Sequence, residues 1–168
     1  MTRLCDALAR FIDLVLIGGG SLVCAVVLAN VTARYLLHFD LAWIDEFGET
    51  VFVWLTFFGG ARAVRSHAHL AVIEFIERVP PALGRFLFVG LWTLTAAMLV
   101  GMVWFGAGIA LANMSQSMSV TGWPVGIVYW AMPAGSVLAL IFVVEQIFAG
   151  DDFRVLVAAA YSVVEEEA

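Results

Sequence analysis

Residues Trp43 to His69 read WIDEFGETVFVWLTFFGGARAVRSHAH. The middle of this stretch is apolar enough for lipid, yet it opens with the carboxylates Asp45, Glu46 and Glu49 and closes with Arg62, Arg65, His67 and His69. Its uncharged run, Thr50 to Ala61, holds about 12 residues, against the roughly 20 that cross a hydrocarbon core about 30 Å thick. To span, such a helix must take its own acids toward or into the membrane. Ionisable groups at that depth mark a functional site whose partner has to be named.

Composition sets the class in which this stretch must be placed. The 168 residues are 63% hydrophobic and 13% charged, with a mean hydropathy of +1.00, whereas a soluble domain carries about a quarter charged residues. This excludes an ordinary soluble enzyme and indicates an integral membrane protein. The net charge of -6 comes from acids at helix ends and in Glu165 to Glu167. The basic residues are all arginine and form no nucleic-acid-type cluster, so no nucleic-acid partner is expected. Cys5 and Cys24 suit free thiols better than a disulfide.

N-terminal to the opening stretch, Leu14 to Ala33 is an uncharged run of about 20 residues, long enough to span. A cleaved signal peptide would have an apolar region of about 7 to 15 residues followed by a small-x-small site, but this run continues past any such site. The expected first helix is Phe11 to Leu37, with Gly18, Gly19 and Gly20 serving close packing. The link His38 to Leu41 is short, so the first two helices should be antiparallel neighbours. Counting outward from that link places Arg34 level with Asp45 and Glu46. An ion pair from Arg34 to either acid is one reading. The other is that Arg34 snorkels to the interface while the acids favour a helix N-terminus.

Asp45, Glu46 and Glu49 crowd one side of a helix. Like charges near lipid attract a proton or a cation, so a proton or sodium site stands beside a structural pair or subunit contact. Sodium sites favour unwound carbonyls at a broken helix, and no proline breaks this stretch.

C-terminal to the stretch, LAVIEFIERV (Leu70 to Val79) followed by Pro80-Pro81 has the apolar spacing of an interfacial amphipathic helix. A packed connector is the alternative. Phe86 to Val144 then runs without a charged side chain for roughly 60 residues, two spans and a link. Asn113 to Ser119 and Thr121 to Pro124 mark that link, and Pro133 should kink the last helix. Gly101, Gly106, Gly108 and Ala110 give the third helix a small-residue side. With the N-terminus inside, every arginine except Arg34 falls on the inner side. In the tail, Phe153, Leu156, Val157, Ala160 and Val164 share one helical side, the pattern of a segment lying on the inner surface; a frayed tail is the alternative.

The expectation is an all-α integral membrane protein with a single membrane domain over residues 1–168. Four transmembrane helices lie at about 11–37, 43–65, 86–112 and 124–148, an interfacial helix at about 70–79, and a cytoplasmic tail at 150–168, with both termini inside. No P-loop, zinc-type His-Glu pair or nucleophile elbow is present, so an enzyme is not expected. A haem-bearing respiratory anchor needs histidines inside the bundle, whereas His38, His67 and His69 fall at helix ends or in loops. A quinone site stays open on these grounds.

The motifs themselves carry a further signal. Arg34-Tyr35, Trp43-x-x-Glu46, Phe52-Val53-Trp54-Leu55-Thr56-Phe57-Phe58-Gly59, Ala63-Val64-Arg65 and His69-Leu70 resemble the small membrane subunit of TRAP (tripartite ATP-independent periplasmic) transporters, the DctQ family. Pro80-Pro81, Trp123-Pro124, Tyr129 and Pro133 continue the resemblance, which covers roughly Val31 to Phe148. The chain departs from the pattern in the extra carboxylates Asp45 and Glu49 and in Arg62.

The resemblance implies a non-catalytic scaffold, without a cofactor or metal, in the bacterial cytoplasmic membrane. It implies two partners, a large multi-spanning subunit carrying the sodium and substrate sites and a periplasmic binding protein delivering an organic acid. On this implication Arg34 and Glu46 brace the outer end, and Trp54, Gly59 and Gly60 make close helix contacts. Arg65 and His69 anchor the inner end. Trp43, Asp45, Glu49 and Pro133 complete the structural or subunit-interface candidates. The alternative is a haem- or quinone-associated anchor of a respiratory complex.

Overall fold

The computed structural model describes residues 2–39, 41–65 and 81–149. The expected interfacial helix at 70–79, the tail at 150–168 and His69 lie outside the described residues. The ordered elements are α1 (Thr2–Thr32), a π-helical turn (Ala33–Leu37), α2 (Ala42–Arg65), α3 (Pro81–Ala112), a single-turn α4 (Gly126–Tyr129) and α5 (Ala131–Ala149).

α1 begins well before Phe11, because the residues ahead of it have their own apolar face. Cys5, Ala9 and Ile12 are buried and pack on the fully buried Phe142 of α5. Arg10 Nε donates to the Asp6 carbonyl along the same helix at 3.3 Å. At its other end α1 widens into the π turn and stops at His38, whose φ of 54° places it in the left-handed region. The N–H groups of His38 and Phe39 both donate to the Ala33 carbonyl, satisfying a helix end that would otherwise lack donors.

α2 returns antiparallel to α1. α3 starts at Pro81 rather than at Phe86, as suits a residue whose missing N–H costs nothing in a first turn. The link after Ala112 is a folded hairpin-like unit. Met118 N–H donates to the Trp123 carbonyl and Val125 N–H to the Gln116 carbonyl, each at 2.8 Å. Gly122 turns the chain at φ 70°. The last helix is divided at Trp130. Pro133 has no N–H for the Tyr129 carbonyl and its ring crowds that carbonyl, so the ladder breaks one turn before the proline. It resumes with Ala134 N–H donating to the Trp130 carbonyl at 3.1 Å.

α1 packs on α2, α2 on α5 and α5 on α3, and the start of α1 also reaches α5. α2 and α5 run parallel, because contacts pair Trp54 with Ile127, Phe57 with Gly135 and Arg65 with Glu145. Backbones approach most closely where glycine replaces a side chain. A Cβ on Gly126 would stand 2.5 Å from the Ala110 carbonyl oxygen, and one on Gly135 would stand 2.6 Å from Phe57 Cβ. Large apolar side chains such as Leu14, Phe52, Leu94 and Trp104 point away from the bundle.

Among the described residues, three stretches are long and apolar enough to cross a membrane: Arg3–Leu37, Gly90–Ala112 and Gly126–Glu145. α2, expected as a fourth, is not among them, since it carries Asp45, Glu46, Glu49, Arg62 and Arg65 within 24 residues.

Candidate functional site

The charged and polar side chains collect at the two ends of the α1, α2 and α5 assembly. At the end marked by the α1 to α2 link, Asn30 is buried on α1 and exposes 2% of its surface. Its Oδ1 accepts from Leu41 N–H at 3.2 Å and its Nδ2 donates to Asp45 Oδ1 at 3.5 Å. The amide thus fixes both the link and the first turn of α2. Asp45 Oδ2 accepts from Arg34 Nη2 at 3.0 Å, in a pair that is exposed. Of the two acids considered for Arg34, the structure assigns Asp45.

Glu46 points elsewhere. Adjacent residues on a helix are turned about 100° from each other, so Glu46 faces the link between α3 and α5. Its Oε1 accepts from Val120 N–H at 2.9 Å, and its Oε2 accepts from Thr121 N–H at 2.8 Å and Thr121 Oγ1 at 2.7 Å. The expected brace from Arg34 to Glu46 is therefore two separate ties. Glu49 is exposed, one turn deeper along α2. Trp43, 46% exposed, sets its ring edge against Phe47 with centroids 6.3 Å apart.

Midway along α2, Trp54 Nε1 donates to the Ile127 carbonyl in α4 at 3.1 Å and its ring meets Phe58 edge-on. The glycines expected to make close contacts do so unevenly. A Cβ on Gly59 would find only an ordinary contact with Leu16, 3.8 Å away, and one on Gly60 would meet nothing within 4 Å. The tight approach of α1 to α2 is at Gly19, where a Cβ would stand 3.0 Å from Leu55 Cδ2. On α3, Gly106 and Ala110 face α4 and α5, while Gly101 and Gly108 face open space.

At the opposite end, Arg62 Nε donates to Asp13 Oδ1 at 2.8 Å. Arg65 ties three helices together. Its Nε donates to Glu145 Oε2 at 3.0 Å, its Nη2 donates to Asp6 Oδ1, and its guanidinium lies over the Phe142 ring, 5.5 Å from the centroid. A planar guanidinium with several fixed donors can serve two carboxylates and a ring at once, which a lysine cannot.

Asn30, Thr121, Asp6, Asp13 and Glu145 were not among the residues singled out from sequence. Each carried a faint signal, a lone polar or acidic group beside or within an apolar run. Cys5 and Cys24 are free thiols, one buried and one exposed. Among the described residues no three His, Cys, Asp or Glu side chains group so as to hold a metal. The chemistry of both clusters is that of fixing helices relative to one another.

The family profile described as tripartite ATP-independent periplasmic transporters, DctQ component, matches residues 23–152. The chain belongs to the DctQ family. The match covers the whole Asn30, Arg34, Asp45 and Glu46 cluster, the Trp54 contact, and Arg62, Arg65 and Glu145. Asp6 and Asp13, which complete the opposite cluster, lie before it. No curated protein matches the chain. A DctQ component is part of a transporter, and the membership gives no support to a haem- or quinone-associated respiratory anchor.

Proposed function

We propose that the chain is the non-catalytic small subunit of a sodium-driven tripartite transporter, a fixed scaffold for import of an organic acid. Its partners on this reading are a large multi-spanning subunit that holds the sodium and substrate sites and a periplasmic protein that delivers the substrate. It sits in the bacterial cytoplasmic membrane as a four-span protein with both termini inside.

The observation that carries the reading is the spacing of the two clusters along α2. From Glu46 to Arg65 the helix rises about 28 Å at 1.5 Å per residue, which matches a hydrocarbon core of roughly 30 Å. The acids and the arginines of α2 then fall at the two boundary planes, and its apolar middle fills the space between. Arginine bias supports the direction: Arg62 and Arg65 mark the cytoplasmic plane, and Arg34 is on the outer side. Both clusters are occupied by ties within the chain, as suits a support rather than a moving transport element. Asp45, Glu46 and Trp54 fix the outer and middle contacts of α2, and Arg65 the inner one.

The test is uptake of labelled organic acids by cells that contain all three components or lack this one, together with purification of the tagged chain in mild detergent. Loss of uptake without it and recovery of a large hydrophobic subunit are expected. Recovery of peripheral redox subunits, or a haem absorbance in the purified chain, would sink the proposal.

A further inference from the structure

Among the described residues, α1, α4 and α5 leave one side of α2 uncovered. α1 meets it at Gly48, Leu55 and Gly59, and α4 and α5 meet it at Trp54 and Phe57. At about 100° per residue, Asp45, Glu49, Phe52, Thr56 and Gly60 fall on one stripe between these flanks. Asp45, Glu49, Phe52 and Thr56 are exposed, Phe52 by 65%, and nothing approaches the position of a Cβ on Gly60 within 4 Å.

The acids at this end differ in one respect. Asp45 is paired with Arg34, and Glu46 is fully engaged by Val120 and Thr121. Glu49 has no hydrogen bond or ion pair among the described residues. On the membrane placement proposed above, it lies roughly 5 Å farther along α2 than Asp45 and Glu46, with Phe52 next on its stripe, on the hydrocarbon side of that boundary. Ionisable groups within a membrane are nearly always paired, and among the described residues the nearest arginine along this end, Arg34, is engaged by Asp45. The stripe therefore has the makeup of half an interface: a negative charge, an aromatic side chain and, farther along, a glycine that lets another backbone come close.

We propose that this stripe of α2 docks a membrane helix of the large transporter subunit that carries an arginine or lysine at the depth of Glu49. The proposal rests on the reading of the chain as the small subunit of a tripartite transporter. The cation neutralises Glu49 inside the contact, Phe52 packs beside the pair, and Gly60 sets the closest approach. Glu49, an acid beyond the family's pattern, then matches this chain to its own large subunit by charge.

The test is copurification of the tagged chain with the large subunit in mild detergent, using wild type, Glu49→Gln and Glu49→Arg. Both variants should recover roughly thirtyfold less large subunit or lower still, the scale for removing one partner of a desolvated charge pair. Each isolated variant should keep the helicity and thermal midpoint of wild type, since Glu49 supports nothing within the chain. A photo-activated cross-linker at Thr56 should attach to the large subunit in wild type. Undiminished recovery of Glu49→Gln overturns the proposal, whether or not Glu49→Arg is impaired, and leaves Glu49 to lipid headgroups. Absence of a Thr56 adduct overturns it too. If wild type itself recovers no large subunit, the functional reading fails instead, so the two failures are distinguishable.

Discussion

Glu46 and Thr121 are bound to each other twice across 75 positions of chain, through the Thr121 N–H at 2.8 Å and its hydroxyl at 2.7 Å, both on Oε2. With Val120 N–H on the other oxygen, one carboxylate of α2 holds the tip of the link between α3 and α5. α2 is thereby fixed at one end to the chain that follows α3.

Glu46→Gln keeps one good acceptor and replaces the other with a donor that faces N–H groups. It is expected to lower the thermal midpoint of the purified chain, and Glu46→Ala is expected to lower it further. Thr121→Val, which removes only the hydroxyl, should have a smaller effect than either and none beyond Glu46→Ala in the double variant. Thermal unfolding in detergent followed by circular dichroism checks the order. Equal effects of Thr121→Val in the presence and absence of Glu46 would falsify the tie.

Arg65→Lys should be nearly as damaging as Arg65→Ala, because a point charge cannot reach Asp6 and Glu145 together and stack on Phe142. The expected loss is about 1.5–3 kcal/mol, the range for hydrogen bonds to charged groups. Glu145→Gln should lose part of this, since Asp6 remains. Unfolding midpoints of the three variants, compared in one detergent, decide the matter.

Gly126→Ala and Gly135→Ala place a methyl group 2.5 Å from the Ala110 carbonyl oxygen and 2.6 Å from Phe57 Cβ. Backbone must move in both cases, at a cost of about 1–3 kcal/mol each. Gly60→Ala, with nothing within 4 Å, should leave the isolated chain as stable as wild type or slightly more so, since alanine favours a helix interior over glycine. A stability loss at Gly60 equal to that at Gly135 would contradict this packing.

The Arg34 and Asp45 pair is exposed, so Arg34→Ala should cost only about 0.2–1 kcal/mol. Exchanging the charges, Arg34→Asp with Asp45→Arg, should recover most of that. Exchange with Glu46 should not, because Glu46 faces Thr121 and its own ties would be lost. Stability of the single and exchanged variants measured side by side distinguishes the two acids.

Much of the helical layout was legible in the residues. The long apolar runs, the short link at His38 and the prolines at 80, 81 and 124 placed the main helices and their turns. Not every boundary was. The residues before Phe11 are helical because Cys5, Ala9 and Ile12 have Phe142 to pack on, and Phe142 lies on the last helix. The last helix divides at Trp130, one turn before the proline that causes it, because the bond Pro133 cannot make belongs to Tyr129.

The candidate residues were partly legible for the same kind of reason. Counting along two antiparallel helices brought Arg34 level with Asp45 and Glu46, since rise per residue is fixed. It could not say which acid turns toward the arginine. Of the glycines expected to pack closely, Gly19 does and Gly18, Gly20 and Gly60 do not, while the close contact at Gly135 carried no expectation, because glycine spacing says that a helix can be approached and not from where.

By itself the sequence determined that the chain is a helical membrane protein with charge gathered at the ends of its second helix. Lipid solvates neither charges nor open backbone groups, so composition and run length leave few structures to choose from. Only the tertiary structure decided how the acids are used: Asp45 on Arg34, Glu46 on Thr121, Asp6 and Glu145 on Arg65, and Glu49 turned outward. Side chains one position apart on a helix point about 100° apart. What each one meets is set by the helix packed in that direction, and that packing joins residues that stand far apart in the chain.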